Sequence, residues 1–191
     1  MQTKAKPQTA ESKCSNKILT IPNILSFLRL AMIPLICYCY LALKNHMLTA
    51  LLLALSGLTD AADGFIARHF NMISNLGKAL DPVADKLTQV SMLVCLVSRF
   101  PHMLTALVLL VVKEIINGAS NLYLTRRTGK VYGALWHGKL STAMLYAVMF
   151  LHLVWYNIPE MLSYILSSAC VVMMLISFVL YAIRNSQLLK R

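Results

Sequence analysis

The sequence predicts an all-α fold, a polytopic membrane bundle of about six transmembrane helices. Three observations carry that prediction: a composition starved of charge, a series of long apolar runs, and basic residues gathered on one side of those runs. Of 191 residues, 58% are hydrophobic and 13% charged, against about 25% charged in an ordinary soluble domain. So little charge cannot cover the surface of such a chain in water, and lipid must cover much of it.

Spanning helices need about 20 mostly apolar residues. Runs of that kind occupy residues 24–43, 47–66, 82–98, 102–124, 140–157 and 161–183. They are long, Leu-rich and lack the period-two alternation of strands. The third is short, and it is expected to begin at Asp81-Pro82, where Asp suits an N-cap and Pro the first helical position. Residues 1–17 are polar, contain four lysines and have no apolar centre, so they read as a cytosolic tail rather than a cleavable leader. Residues 18–191 form the membrane domain. The five cysteines (Cys14, Cys37, Cys39, Cys95 and Cys170) are scattered and suggest packing rather than a disulfide framework or a zinc site.

With six spans, one membrane face collects Lys4, Lys6, Lys13, Lys17, Arg68, Lys78, Lys86, Arg126, Arg127, Lys130, Lys139, Arg184, Lys190 and Arg191, with Arg29 close by. The other face has only Lys44 and Arg99. The positive-inside rule then places both termini, and the loops at 67–81 and 125–139, in the cytosol. The net charge of +11 follows these loops, so anionic lipid headgroups rather than nucleic acid are the expected partner.

Seven acidic residues are present, and four of them, Asp60, Asp63, Asp81 and Asp85, fall within 26 positions at the cytosolic ends of the second and third spans. Carboxylates beside hydrocarbon are paired, metal-bound or functional. Asp60 and Asp63 are three apart and Asp81 and Asp85 four apart, so each pair shares a helix face, and the short connection makes the helices antiparallel neighbours. Four such charges across one cleft call for one or two hard cations, Mg²⁺, Mn²⁺ or Ca²⁺ in preference to zinc. Gly64 opens the backbone beside Asp63, while Arg68, Gly77 and Lys78 flank the acids. This is the composition of a phosphate-ester site, and two metals there suit in-line displacement at phosphorus.

The run Asp60-Ala-Ala-Asp63-Gly64-Phe-Ile-Ala67-Arg68, eight residues, Gly77, three residues, Asp81, three residues, Asp85 resembles the signature of the CDP-alcohol phosphotransferases at all eight positions. Thr20-Ile-Pro22-Asn23-Ile-Leu-Ser26-Phe-Leu-Arg29 and Asp81-Pro-Val-Ala-Asp85-Lys86 are similar to segments of bacterial phosphatidylglycerophosphate synthases and related cardiolipin synthases, with Ser26 where those proteins commonly have Thr. The resemblance implies the helical bundle of that family, a homodimer in the bacterial cell membrane with a cavity open to the cytosol. It implies that Asp60, Asp63 and Asp81 bind two ions of Mg²⁺ or Mn²⁺, with Asp85 both at the metal site and acting as general base. It places Asp63, Gly64, Ala67, Arg68, Gly77 and Asp81 around the CDP moiety. The implied reaction moves a phosphatidyl group from CDP-diacylglycerol to an alcohol and releases CMP.

The acceptor is expected to be glycerol 3-phosphate, with phosphatidylglycerol as the alternative. The arginines that phosphatidylglycerophosphate synthases usually bring from the fourth span are replaced here by Lys113-Glu114 and Asn121. Lys113 and Lys139 are candidate acceptor ligands; equally, Lys113-Glu114 suits a pair closing the cavity wall and Lys139 an interfacial anchor. His137 beside Trp136 suits an aromatic belt better than a ligand. A divalent-cation transporter or a lipid-binding scaffold is the reading from another class. A transporter would set its acids near mid-bilayer and has no need of Arg68 and two glycines beside them.

Overall fold

The computed structural model describes residues 21–69, 75–128 and 135–189. They form six helices: α1 (Ile21–Leu41), α2 (His46–His69), α3 (Asn75–Val97), α4 (Met103–Thr128), α5 (Trp136–Val154) and α6 (Glu160–Leu189). Among the described residues there is no strand. All six expected apolar runs are helical. Ile24–Leu41, Met103–Arg127 and Glu160–Leu188 are long and apolar enough to cross a membrane, and α2 adds a shorter apolar stretch, His46–Thr59. The chain is an integral membrane protein. α3 and α5 are not among these stretches, and they carry charged and polar groups such as Asp81, Asp85, Lys86, His137 and Lys139.

Two helix starts differ from expectation. α3 begins at Asn75, so Asp81 is not its N-cap, and Pro82 lies inside the helix. A proline there removes one intrahelical hydrogen bond and crowds the preceding turn, a cost the surrounding helices sustain. α5 begins at Trp136 rather than near 140, which turns His137 inward. His137 is buried, 3.2 Å from the Ser177 hydroxyl and edge-on to the Tyr181 ring. Only Trp136 remains exposed, as a belt residue would be.

Many large apolar side chains are exposed, and several polar ones are buried, among the described residues. Leu51, Leu58, Ile115 and Met161 are exposed, whereas Ser26, Arg29, Gln89, Lys113 and Ser141 are buried. Lipid as solvent explains the first group, and interhelical polar contacts the second. α1 packs against both α2 and α3, α5 against α2, α3 and α6, and α4 against α3 and α6. Met32, Ile36, Met92, Leu96, Leu110, Leu145, Met149 and Met174 belong to the shared apolar core. Cys39, Cys95 and Cys170 are buried free thiols, in keeping with a packing role.

At the end of the bundle away from the acids, the turns are tied together. Asn45 caps α2, its Oδ1 accepting the Leu48 N–H at 3.0 Å. Arg99 donates to the Tyr156 carbonyl at 2.9 Å and stacks over that ring. Ser163 Oγ lies 2.8 Å from the Nε2 atoms of both His102 and His152. These contacts tie the α3–α4 and α5–α6 connections together.

Candidate active site

A cavity of about 730 Å³ lies among the helices, and each of the six contributes to its wall. Arg29 comes from α1, Ser56 and Gly57 from α2, and Pro82, Asp85 and Lys86 from α3. α4 supplies Lys113, Glu114, Asn117 and Asn121; α5 supplies Gly138, Lys139, Thr142, Ala143 and Tyr146; α6 supplies Tyr181. The α5 residues recur at 139, 142, 143 and 146, one face of a helix.

The carboxylates on α3 are held by hydroxyls from other helices. Ser26, fully buried on α1, donates to Asp81 Oδ1. Tyr146 on α5 donates to Asp85 Oδ1 at 2.7 Å, and the Gln89 amide, one turn along α3, donates to Asp85 Oδ2 at 2.9 Å. Lys86 Nζ lies 3.7 Å from the same Oδ2. Lys86 also reaches Glu114 Oε1 at 3.3 Å, and Lys113 meets that oxygen at 3.6 Å. Glu114 thus gathers two ammonium groups from adjacent helices onto one oxygen.

Lys113-Glu114 sits mid-helix, is ion-paired as a wall-closing pair would be, and lines the cavity. Lys139 is exposed and lines the same cavity. Asp60, Asp63, Gly64, Ala67 and Arg68 fall on α2 and Gly77 on α3, but their side chains lie outside the described residues. Among the described residues no group of three metal-ligating side chains is assembled. Of the four clustered aspartates, the two whose side chains are described, Asp81 and Asp85, stand one turn apart with oxygen donors only, which fits a hard divalent cation.

Sequence reasoning assigned no site role to Arg29, Gln89 or Tyr146. Arg29, which the sequence sets close to the basic cytosolic face, is 2% exposed and lines the cavity. A guanidinium inside an apolar run was the available signal. For Tyr146 there was none, because its partner lies 61 residues away.

The sequence model of the CDP-alcohol phosphatidyltransferase family matches residues 19–183. The chain belongs to this family. Among similar proteins, a cardiolipin synthase (CMP-forming) of Streptomyces coelicolor is 46% identical over 92 residues, 44% of this chain and 42% of that protein. A CDP-diacylglycerol–glycerol-3-phosphate 3-phosphatidyltransferase of Rickettsia bellii is 45% identical over 69 residues, 35% of this chain and 38% of that protein. One of the same name from Aquifex aeolicus is 28% identical over 177 residues, 90% of this chain and 98% of that protein. The match to the Streptomyces protein thus spans about two fifths of its length, whereas that to the Aquifex protein runs nearly end to end. Family membership agrees with the resemblance drawn from the sequence.

Proposed function

We propose that this family member transfers the phosphatidyl group of CDP-diacylglycerol to glycerol 3-phosphate, giving phosphatidylglycerophosphate and CMP. The observation that carries this reading is the cavity's charge. Its described lining sets Arg29, Lys86, Lys113 and Lys139 against Asp85 and Glu114, an excess of cations beside a carboxylate. Such a wall attracts an anionic acceptor, and the carboxylate beside it receives a proton. The near-complete alignment with the Aquifex glycerol-3-phosphate enzyme supports the same acceptor.

Asp85 takes the proton of the acceptor hydroxyl as the O–H bond breaks. The acceptor oxygen then bonds to the phosphatidyl phosphorus, the bond from that phosphorus to the CMP oxygen breaks, and CMP departs. Lys113 and Lys139 hold the acceptor's phosphate, while Arg68 and the glycines at 64 and 77 receive the nucleotide. The family generally uses divalent metals, and two ions of Mg²⁺ or Mn²⁺ on Asp60, Asp63, Asp81 and Asp85 would neutralise charge on the attacking and leaving oxygens. Both termini and the cavity mouth face the bacterial cytosol in this reading, residues 1–17 form a tail, and the chain works as a homodimer.

Phosphatidylglycerol, giving cardiolipin, is the second reading. Lys139 is exposed at the cavity, where the phosphodiester of a lipid headgroup can reach it, and the Streptomyces relative bears that activity in its name. Purified protein given labelled CDP-diacylglycerol and each acceptor in turn, followed by lipid chromatography, separates the two. Phosphatidylglycerophosphate supports the first reading and cardiolipin the second. Absence of CMP release with every acceptor would refute both.

A further inference from the structure

We infer that Tyr146 is a positioning residue for the transfer, holding the Asp85 carboxylate in the one orientation that faces an acceptor bound along α5. The inference rests on the phosphatidyl-transfer reading. It starts from Asp85 Oδ1 and Oδ2, which accept hydrogen bonds from different helices, Tyr146 at 2.7 Å and Gln89 at 2.9 Å. The terminal torsion of an aspartate is broad, so packing alone does not fix the plane of its oxygens. Two donors on opposite oxygens do. Gln89 is fully buried and belongs to the same helix as Asp85, so it sets the carboxylate relative to α3. Tyr146 sets it relative to α5.

That second tie matters because α5 carries the rest of the stripe. Lys139, Thr142, Ala143 and Tyr146 line one face of the cavity, and Lys139 lies about 10 Å from Tyr146 along the helix axis. The lysine offers charge to the acceptor's anionic group, and the hydroxyl of Tyr146 fixes the base that must meet the acceptor's reacting oxygen. One rigid helix therefore spaces the two. A transfer step depends steeply on such placement. A phenylalanine at 146 fills the same space yet leaves Asp85 tied to α3 alone.

The test uses the full chain purified in detergent micelles. A hydrogen bond to a charged group is of a strength that predicts a fall in kcat of about 10- to 100-fold for Tyr146→Phe. KM for CDP-diacylglycerol and affinity for CMP should stay within about threefold of the parent. Mn²⁺ binding, read by electron paramagnetic resonance without turnover, should weaken by much less than kcat falls, because Asp60, Asp63 and Asp81 still hold the ions. In an Asp85→Asn background, Tyr146→Phe should cause no further loss, since its effect passes through that carboxylate. Retained turnover in Tyr146→Phe, losses that multiply in the double variant, or a fall in Mn²⁺ or CMP affinity to match the fall in kcat would each overturn the assignment. If Tyr146→Phe does not fold, Gln89→Met frees the other oxygen without touching α5. It should show the same loss of kcat with binding kept, and normal turnover there would refute orientation as the controlling factor. An unmodified chain that releases no CMP would overturn the transfer reading itself.

Discussion

Replacing Gly138 by alanine should destabilise the protein, because α6 occupies the space a side chain would need. A Cβ at 138 would stand 2.6 Å from Tyr181 Oη and 2.9 Å from its Cε2. The ring has little room to retreat, since His137 stands edge-on at 4.8 Å and the Leu135 N–H donates to Tyr181 Oη at 2.9 Å. Overpacking of this kind costs about 1–3 kcal/mol, and loss of the Leu135 bond about 0.5–1.5 kcal/mol. Alanine recovers at most about 1 kcal/mol of helix propensity. The net expectation is a loss of roughly 1–3 kcal/mol. Unfolding by SDS titration in mixed micelles measures it. In a Tyr181→Leu background the clash disappears and the sign should reverse, leaving Gly138→Ala neutral or stabilising by up to about 1 kcal/mol. Unchanged stability in the parent, or an equal loss in both backgrounds, would refute Tyr181 as the cause.

Further outcomes follow from the site. Chelation with EDTA should abolish CMP release and Mg²⁺ or Mn²⁺ restore it; full activity in metal-stripped protein would sink the metal-assisted mechanism. Asp85→Asn should cut turnover by about 10²- to 10⁴-fold while CDP-diacylglycerol still binds. Asp63→Asn should impair both, and equal loss of binding in the two variants would make Asp85 chiefly a ligand. Ser26→Ala removes the donor to Asp81 and should weaken Mn²⁺ binding by about tenfold, given the strength of hydrogen bonds to charged groups; binding equal to the parent's would show that the hydroxyl is dispensable. In a cysteine-free background, a cysteine at exposed Asn157 should react with an impermeant thiol reagent on intact cells and one at exposed Ser186 should not. The reverse pattern would invert the orientation.

The helices were legible because lipid imposes one rule on every span, long apolar runs, and all six runs are helical. Their ends were less so. Asp81-Pro82 carries a helix-start signal, but α3 begins earlier, at Asn75, and runs through it. Likewise Trp136-His137-Gly138-Lys139 reads as interface, and only the facing Ser177 and Tyr181 on α6 give His137 a buried home. In the site, Asp81 and Asp85 stood out because carboxylates are costly near hydrocarbon. Ser26 and Tyr146 did not, since hydroxyls are common in membrane helices. Their partners, 55 and 61 residues away, are joined to them by folding alone.

A cavity walled by every helix has a consequence for how the protein is made. Membrane insertion proceeds from the amino terminus, so the acids of α2 and α3 enter the bilayer before α4 brings Lys113 and α5 brings Lys139 and Tyr146. During that interval Asp81 and Asp85 already have Ser26, Gln89 and Lys86 beside them, but not Tyr146. The helices still to come complete the chamber, and Tyr181 of α6 is the last contributor to its wall. A ribosome-stalled or truncated chain ending before α6 therefore lacks the part of the chamber wall that Tyr181 supplies.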